Sequence, residues 1–514
     1  MPVEARRVGR VRLGLVVFTG GAGTLATEIA ASRLLAPYFG SSTIVWANII
    51  GLILLYLSLG YWLGGKWADR RPEPRVLGGI VLVAALVIAT LPFVSRPVLD
   101  LAVEGLDAVS VGAVVGSFFA ALALFAIPIT LLGAVAPFAI RLALDDVSEA
   151  GTVAGRLYAL STVGSILGTF LSAIVTIPLI GTQRTMLGAS ALLVLAAALL
   201  LGVRWQLLTV AACGLLFIPA GTIKASAGLL WETESSYQYV QVAERADGSR
   251  VLRLNEGVAV HSVWHRDSVL TGGVWDTFLA VPPLLGRPLE DVLVLGNAGG
   301  TIGRAYGRFY PDARVEGVEI DPKVTEAGRR FLGLEDNPNL HVTSADARPY
   351  LAASDDRYDL IIGDAYRQPY IPFYLTTREF FELARDHLKP GGVLALNVAA
   401  VPGDERLSAA IGSTLLAEFP EVWSWRPLRF NEIVLAFDRP VGGDELRRRV
   451  GALDGELAPL VPLFRRQLEA MRPTERPLTD DLAPVEWLTD RMITAFVAEG
   501  GELDEEELPT APRP

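Results

Sequence analysis

The chain has 514 residues, about half of them hydrophobic, a net charge of −11, one cysteine and four histidines. That length allows two or three domains, and the lone Cys213 excludes an intrachain disulfide. No basic stripe marks a nucleic-acid partner, and His261, His265, His341 and His387 lack companions at metal-ligand spacing, so no metal is expected.

Up to about Thr222 the sequence consists of long apolar runs with few charges. About 20 apolar residues span a bilayer as a helix. Seven runs qualify, at about 13–35, 43–64, 77–95, 110–135, 156–180, 185–202 and 206–222. One could be a signal peptide; seven read as a multi-pass membrane domain, residues 1–225, with the lipid bilayer as a partner. Pro128 and Pro137 suggest a re-entrant or broken helix near 110–144. Gly60/Gly64 and Gly164/Gly168 allow close helix packing. Glu28 lies inside a span, where an acid needs a partner or water; Arg33 is one candidate, and a transport role is the alternative.

Residues 230–290 read as a small β-subdomain and linker, with "ADGS" as a hairpin turn. Residues 291–440 alternate apolar strands with helical patterns: "DVLVLG", "ARVEGVEID", "NLHVTSAD", "YDLIIGDA" and "GGVLALNVAA". That is a parallel, doubly wound Rossmann-like sheet of the S-adenosylmethionine-methyltransferase type, which binds ligands at the carboxyl ends of its strands. "VWSWRPLRFNEIVLAF" adds two antiparallel strands. Residues 441–498 read as helical, and the acidic, proline-rich tail 499–514 as disordered.

At the strand ends stand residues with chemistry. Gly296, Gly299 and Gly300 follow the first strand and would let a ligand approach the backbone. Ala298 and Thr301 break the G-x-G-x-x-G pattern, and no P-loop lysine is present, so phosphate cradling is not indicated. Glu319 ends the second strand, 23 residues beyond Gly296, and suits a ribose diol. Asp346 and Ala347 follow the third strand, where an acid can accept from an adenine amino group, and Asp364 follows the fourth. Each acid alone also reads as a solvated strand-end carboxylate. Together they suggest an adenosyl ligand without phosphates.

On these residues the sequence resembles the spermidine/spermine synthase (aminopropyltransferase) family, over about 232–438, through "SYQYVQV", the glycine loop, "VEID", "SADA" and "YDLIIGDA". The whole chain resembles its membrane-fused members, through "EIAASRLLAPYFGSS", "LYALSTVGSILGTFL", "DAYRQPYIPFYLTTREFF" and "LTDDLAPVEW". The resemblance implies transfer of aminopropyl from decarboxylated S-adenosylmethionine to an amine, in polyamine biosynthesis. Gly296, Gly299, Gly300, Glu319, Asp346 and Ala347 would bind the cofactor, and Asp364 would hold and deprotonate the attacking amine. Tyr237, Gln238, Asp276, Tyr366, Arg367 and Tyr370 would face the substrate, unless the aromatic ones merely pack their loop on the sheet.

Three departures bear on the acceptor. Gly299 stands where the family usually has an acid, Arg367 stands where it usually has a second acid after the catalytic one, and Val274-Trp275-Asp276 replaces Tyr-His-Glu. Acids hold ammonium groups, and like charges at pocket distances cost on the order of 1–4 kcal/mol. An anionic or lipid-derived acceptor is therefore open beside a diamine. Two other readings stay open: a methyltransferase using intact S-adenosylmethionine on a membrane-proximal acceptor, and a transporter or sensor with a non-catalytic nucleoside-binding domain. "TDDLAPVEW" either caps the pocket or docks on the membrane half. A homodimer is expected only by analogy with oligomeric spermidine synthases. The expected location is the plasma (inner) membrane. A cytosolic cofactor puts the soluble domain inside, whereas a basic N-terminus inside and seven spans put it outside.

Overall fold

The apolar runs fold as long helices, and the charged half folds around β-sheets. A computed structural model of the chain describes residues 9–501, except 40–42, 108–111, most of 202–225, 256–258 and 367–369, together with Leu508. The chain divides into two units: Met1–Ala225 with Glu234–Tyr239, and Ser226–Thr233 with Val240–Pro514.

The first unit contains α1 (Arg10–Phe39), α2 (Thr43–Arg70), α3 (Pro74–Asp107), α4 (Gly112–Gly133), α5 (Val135–Ala143), α6 (Ala150–Phe170) and α7 (Ile177–Leu201). Among the described residues, five helical stretches are long and apolar enough to cross a membrane. The last, Val147–Leu201, has 55 residues. At 1.5 Å per residue it would measure roughly 80 Å, against a hydrocarbon core of ~30 Å. It is broken instead. A π-helical turn at Leu171–Thr176 precedes Gly181, whose φ of 82° interrupts the helix. The Glu234 carboxylate caps the restart, accepting from the Thr182 backbone N–H and hydroxyl, both at 2.6 Å. The expected runs 156–180 and 185–202 are the two sides of this break. The expected run 206–222 lies largely outside the described residues.

The two prolines do mark an interruption: α4 ends at Gly133 and α5 starts at Val135. Pro137 has no N–H to donate to the Gly133 carbonyl, so the ladder lapses there. Both glycine pairs sit at close crossings. A Cβ on Gly64 would lie 2.5 Å from Ala134 Cα, and one on Gly168 would lie 2.8 Å from Ala22 Cα. Glu28 and Arg33 do not form the expected ion pair; Arg33 donates to the Ser236 carbonyl.

The second unit carries two sheets. The smaller, in order β1 (Leu229–Glu234), β2 (Tyr239–Glu244), β3 (Arg250–Leu254) and β4 (Val260–Trp264), contains the expected hairpin. Its turn is closed by Arg245 N–H donating to the Ser249 carbonyl at 2.8 Å. The larger sheet is built from β5 (Asp291–Leu295), β6 (Arg314–Glu319), β7 (Leu340–Ser344), β8 (Tyr358–Gly363), β9 (Leu388–Ala399), β10 (Glu421–Trp425), β11 (Asn431–Phe437) and β12 (Leu468–Ala470). Its order is β12-β10-β11-β9-β8-β5-β6-β7. The five strands β7-β6-β5-β8-β9 are parallel, and the remaining three join antiparallel.

Both faces of the parallel part are covered, which is why these strands read as continuous apolar runs. Val292, Val294, Val315, Leu360 and Ile362 pack on one side, and Leu293, Leu295, Val318 and Ile361 on the other. Helices α8 (Thr301–Phe309), α9 (Pro322–Phe331), α10 (Ala347–Ala353), α11 (Arg378–Asp386) and α12 (Arg406–Leu415) connect or flank the strands. The segment read as helical holds α13 (Gly443–Arg449), α14 (Leu460–Gln467) and α15 (Val485–Ala498), but also the edge strand β12. In the tail, Leu508 is buried and its N–H donates to the Gly272 carbonyl at 2.7 Å, so the tail is packed at that residue rather than disordered.

Candidate active site

Parallel register puts the strand ends level. Leu295 pairs with Val318 on one side and with Gly363 on the other, so Gly296, Glu319 and Asp364 emerge at one edge. Connections leave β5 toward β6 on one side while β8 lies on the other, which makes this the switch point of the sheet.

The glycine loop needs its glycines. Gly296 has φ 87°, and a Cβ there would lie 2.5 Å from Ala365 Cα, in the loop after β8. Gly299 donates its N–H to Ser262 Oγ at 2.8 Å, and an added Cβ would press into Leu332 and Ser262. Gly300 has φ 89° and starts α8. Ala298, a non-glycine residue at φ 46°, donates its N–H to Glu319 Oε2 at 3.0 Å.

Glu319 is 7% exposed, and its other oxygen accepts from the Asp321 N–H at 2.9 Å. Burial pushes its carboxyl up to about 7, against the pull of these backbone bonds. Asp346 caps α10 by accepting from the Arg348 N–H, with Ala347 buried beside it. It also accepts from the Tyr374 hydroxyl at 3.2 Å. An open groove lies beside it, lined by Arg348, Pro349, Ala352 and Tyr374.

Asp364 directly follows β8, its N–H bonded to the Leu295 carbonyl at 2.9 Å. Asn397 Nδ2 donates to its Oδ1 at 2.8 Å. Burial pushes the Asp364 carboxyl up to about 7, while the hydrogen bonds from Asn397 and Trp275 pull it down. A carboxyl poised near neutral pH, at a strand end facing a glycine loop, can accept a proton from an amine.

Gly296, Gly299, Gly300, Glu319 and Asp364 thus come together, with Asp346 one strand further on. The remaining expected residues fare differently. Asp276 is 1% exposed, and its carboxylate accepts from Thr271 N–H and Oγ1 and from Gly272 N–H at 2.8–3.1 Å. These bonds hold its own loop together; its neighbour Trp275 donates to Asp364. The Tyr366 hydroxyl donates to the Asn397 carbonyl at 3.0 Å, and Tyr370 donates to Asp490 Oδ1 at 2.5 Å. These bonds favour the packing role for both tyrosines. Tyr237 and Gln238 belong to the first unit, not to the unit that holds Asp364. Arg367 lies outside the described residues.

Sequence reasoning missed Asn397; it met Trp275 only as part of a departure from the family pattern, and Asp480 only inside "TDDLAPVEW". Asn397 is the one amide in the apolar run "GGVLALNVAA", which was a usable signal. At the opposite end of the sheet, Glu290, Asp291 and Asp359 cluster closely enough to hold a cation. Lys389 Nζ instead lies 2.6–3.3 Å from all three, and Arg287 pairs with Asp359.

Residues 277–408 match the spermine/spermidine synthase domain family. A probable polyamine aminopropyl transferase of Bifidobacterium longum (strain NCC 2705) is 34% identical over 292 residues, 53% of this chain and 64% of the relative. A polyamine aminopropyltransferase of Vibrio vulnificus (strain CMCP6) is 35% identical over 111 residues, 21% of this chain and 37% of the relative. The chain thus spans less than two thirds of either relative's length. A crystal structure of a probable spermidine synthase from Corynebacterium glutamicum ATCC 13032 aligns with 57% of this chain and all of its own, at 16% identity and a TM-score of 0.39. The match to the spermine/spermidine synthase domain family covers the strand end that holds Asp364.

Proposed function

We propose that the chain is a membrane-bound transferase that moves an aminopropyl group from decarboxylated S-adenosylmethionine to an amine acceptor. The observation that carries this reading is Asp364, set at the switch point between neutral donors with its carboxyl raised to about 7. The acceptor nitrogen attacks the carbon beside the sulfonium, the new C–N bond forms and the C–S bond breaks. Methylthioadenosine leaves, and the ammonium proton passes to Asp364. Glu319 takes the ribose, and Asp346 takes the adenine amino group.

Methyl transfer from intact S-adenosylmethionine is the second reading. It is favoured by Gly299, where a side chain would strike Leu332 and Ser262, so no acid stands there to hold an aminopropyl ammonium. A product assay on the purified chain in detergent separates the two. Each cofactor is offered with putrescine, spermidine and a total lipid extract. Methylthioadenosine from the decarboxylated cofactor, reduced roughly 10²–10⁴-fold in Asp364→Asn, supports the first reading. S-adenosylhomocysteine from the intact cofactor overturns it in favour of the second. Neither product, with an adenosyl ligand still bound, favours a sensor.

The membrane location rests on the five long apolar stretches and on large apolar side chains exposed along them, including Leu54, Trp62, Phe119, Ile127, Phe170 and Leu179. Counted with the break at Gly181, Val147–Leu201 offers length for two crossings, so the described residues would make six. An even number returns the chain at Leu201 to the side of its basic N-terminus, the cytosol, where the cofactor is made. The cytosolic placement of the soluble domain thus requires that the seventh expected run, 206–222, does not cross. In a Cys213→Ser background, a cysteine at exposed Glu499 should resist impermeant maleimide in intact cells and react after lysis. Labelling in intact cells defeats the cytosolic placement.

A further inference from the structure

The parallel register that sets Gly363 beside Leu396 also sets the next residues, Asp364 and Asn397, side by side at the strand ends. Asn397 is 6% exposed, on β9. Its amide has one acceptor end and one donor end, and the two are not interchangeable. Asn431, which starts β11, donates Nδ2 to Asn397 Oδ1 at 2.9 Å. With its oxygen so occupied, Asn397 presents its NH₂ to Asp364 Oδ1, at 2.8 Å. The antiparallel pairing of Asn431 with Ala399 and of Ile433 with Asn397 holds the two amides in reach.

We infer that Asn431 and Asn397 form a two-amide relay that positions the Asp364 carboxylate, Asn431 fixing which face of the Asn397 amide points at it. This rests on the reading of Asp364 as the proton acceptor. Neither asparagine is a catalytic residue; both act through Asp364. Donors aimed at a carboxylate favour its ionised form, the form that can take the amine proton. Trp275 supplies a second donor, and an indole N–H can only donate. The titratable neighbour of Asp364 among the described residues is Tyr366. Its hydroxyl is turned to the Asn397 carbonyl at 3.0 Å and stays protonated, because burial holds its pKa well above the usual value.

The test measures the carboxyl directly. In the full chain in detergent, the protonated-carboxyl infrared band that disappears in Asp364→Asn is followed from pH 4 to pH 9, in the wild type, Asn397→Leu and Asn431→Ala. The midpoint should rise by about one pH unit in Asn397→Leu, because a donor to the anion is lost. It should rise by a smaller, measurable amount in Asn431→Ala, where the Asn397 amide is freed to turn. The acidic limb of kcat/KM should move with the band. Should Asn397→Leu fail to fold, Asn431→Ala decides, since it leaves the Asn397 side chain in place. An unmoved midpoint in the folded variants overturns the relay. A shifted midpoint with no product from either cofactor upholds the relay and counts against the transferase reading, so the two failures are distinguishable.

Discussion

Asp359 and Asp364 stand on, and just past, the same strand, and meet opposite fates. The Asp359 side chain has no exposure. It accepts from the backbone N–H groups of Glu290 and Asp291 at 2.9 and 2.8 Å, beside Arg287 and Lys389. Burial raises its pKa, but these bonds and the Arg287 charge outweigh burial and hold it below the usual range. Asp364 also suffers burial but has only neutral donors, and it rises to about 7. A buried acid next to cations is a fixed charge that anchors strand starts. A half-buried acid next to amides can exchange a proton near neutral pH. The sheet thus carries its anchor at one end and its chemistry at the other.

The largest expected effect tests the anchor. Asp359→Asn should lower stability by about 3 kcal/mol at pH 7, the low end for breaking a buried pair, because Arg287 and Lys389 keep partial access to water. The folded pKa of Asp359 is depressed, so its contribution is present above the unfolded value near 3.8 and is lost as pH falls through the folded value. The gap between variant and wild type, read from thermal unfolding, should therefore close in acid. A variant as stable as wild type at pH 7 breaks the comparison.

Asp364→Asn should behave in the opposite sense. Its folded pKa is raised, so its contribution to stability is full below about 3.8 and declines as pH rises through about 7. The variant should gain on the wild type between pH 5 and pH 8, by about 2–3 kcal/mol, since about two pKa units are crossed and each corresponds to ~1.4 kcal/mol. Melting temperatures at the two pH values check this. A difference that does not change with pH would mean that Asp364 is not held near neutrality.

These contrasts set the limit of what the sequence discloses. The parallel strands were legible because both their faces are buried, which leaves unbroken apolar runs. The glycine loop, Glu319 and Asp364 were legible because the fold puts ligands at strand ends. β12 was not, since three residues, "LEA", carry no period and join only as an edge strand. The break at Gly181 was hidden because a glycine in an apolar run also reads as close packing, and its cap, Glu234, is 52 residues beyond Thr182. The bonds of Asp276 to its own loop were not legible, because a sequence does not say whether a carboxylate faces a cleft or its own backbone. Asn397 was visible as a lone amide, but its meaning needed Asn431, which only the sheet brings near.

The smallest expected effect extends the comparison to an exposed acid. Asp480, in "LTDDLAPVEW", accepts from both terminal nitrogens of Arg348 at 2.7 Å and from the Thr377 hydroxyl at 2.7 Å. It thereby ties the helix that follows Asp346 to the cap of α11, which answers where this segment docks inside the second unit. Like Asp359 it meets an arginine, and the hydrogen bond from Arg348 leads the causes that lower its pKa. Unlike Asp359, its side chain is 45% exposed. Two-pronged geometry favours the pair, but water and salt screen it, so Asp480→Ala should cost no more than ~1 kcal/mol and the cost should shrink in high salt. Methylthioadenosine affinity, measured by calorimetry at low and high salt, should fall by no more than about fivefold, which is ~1 kcal/mol. A loss as large as that of Asp359→Asn would mean that exposure is not what separates these acids, and that the C-terminal segment is as much an anchor of the fold as the base of the sheet.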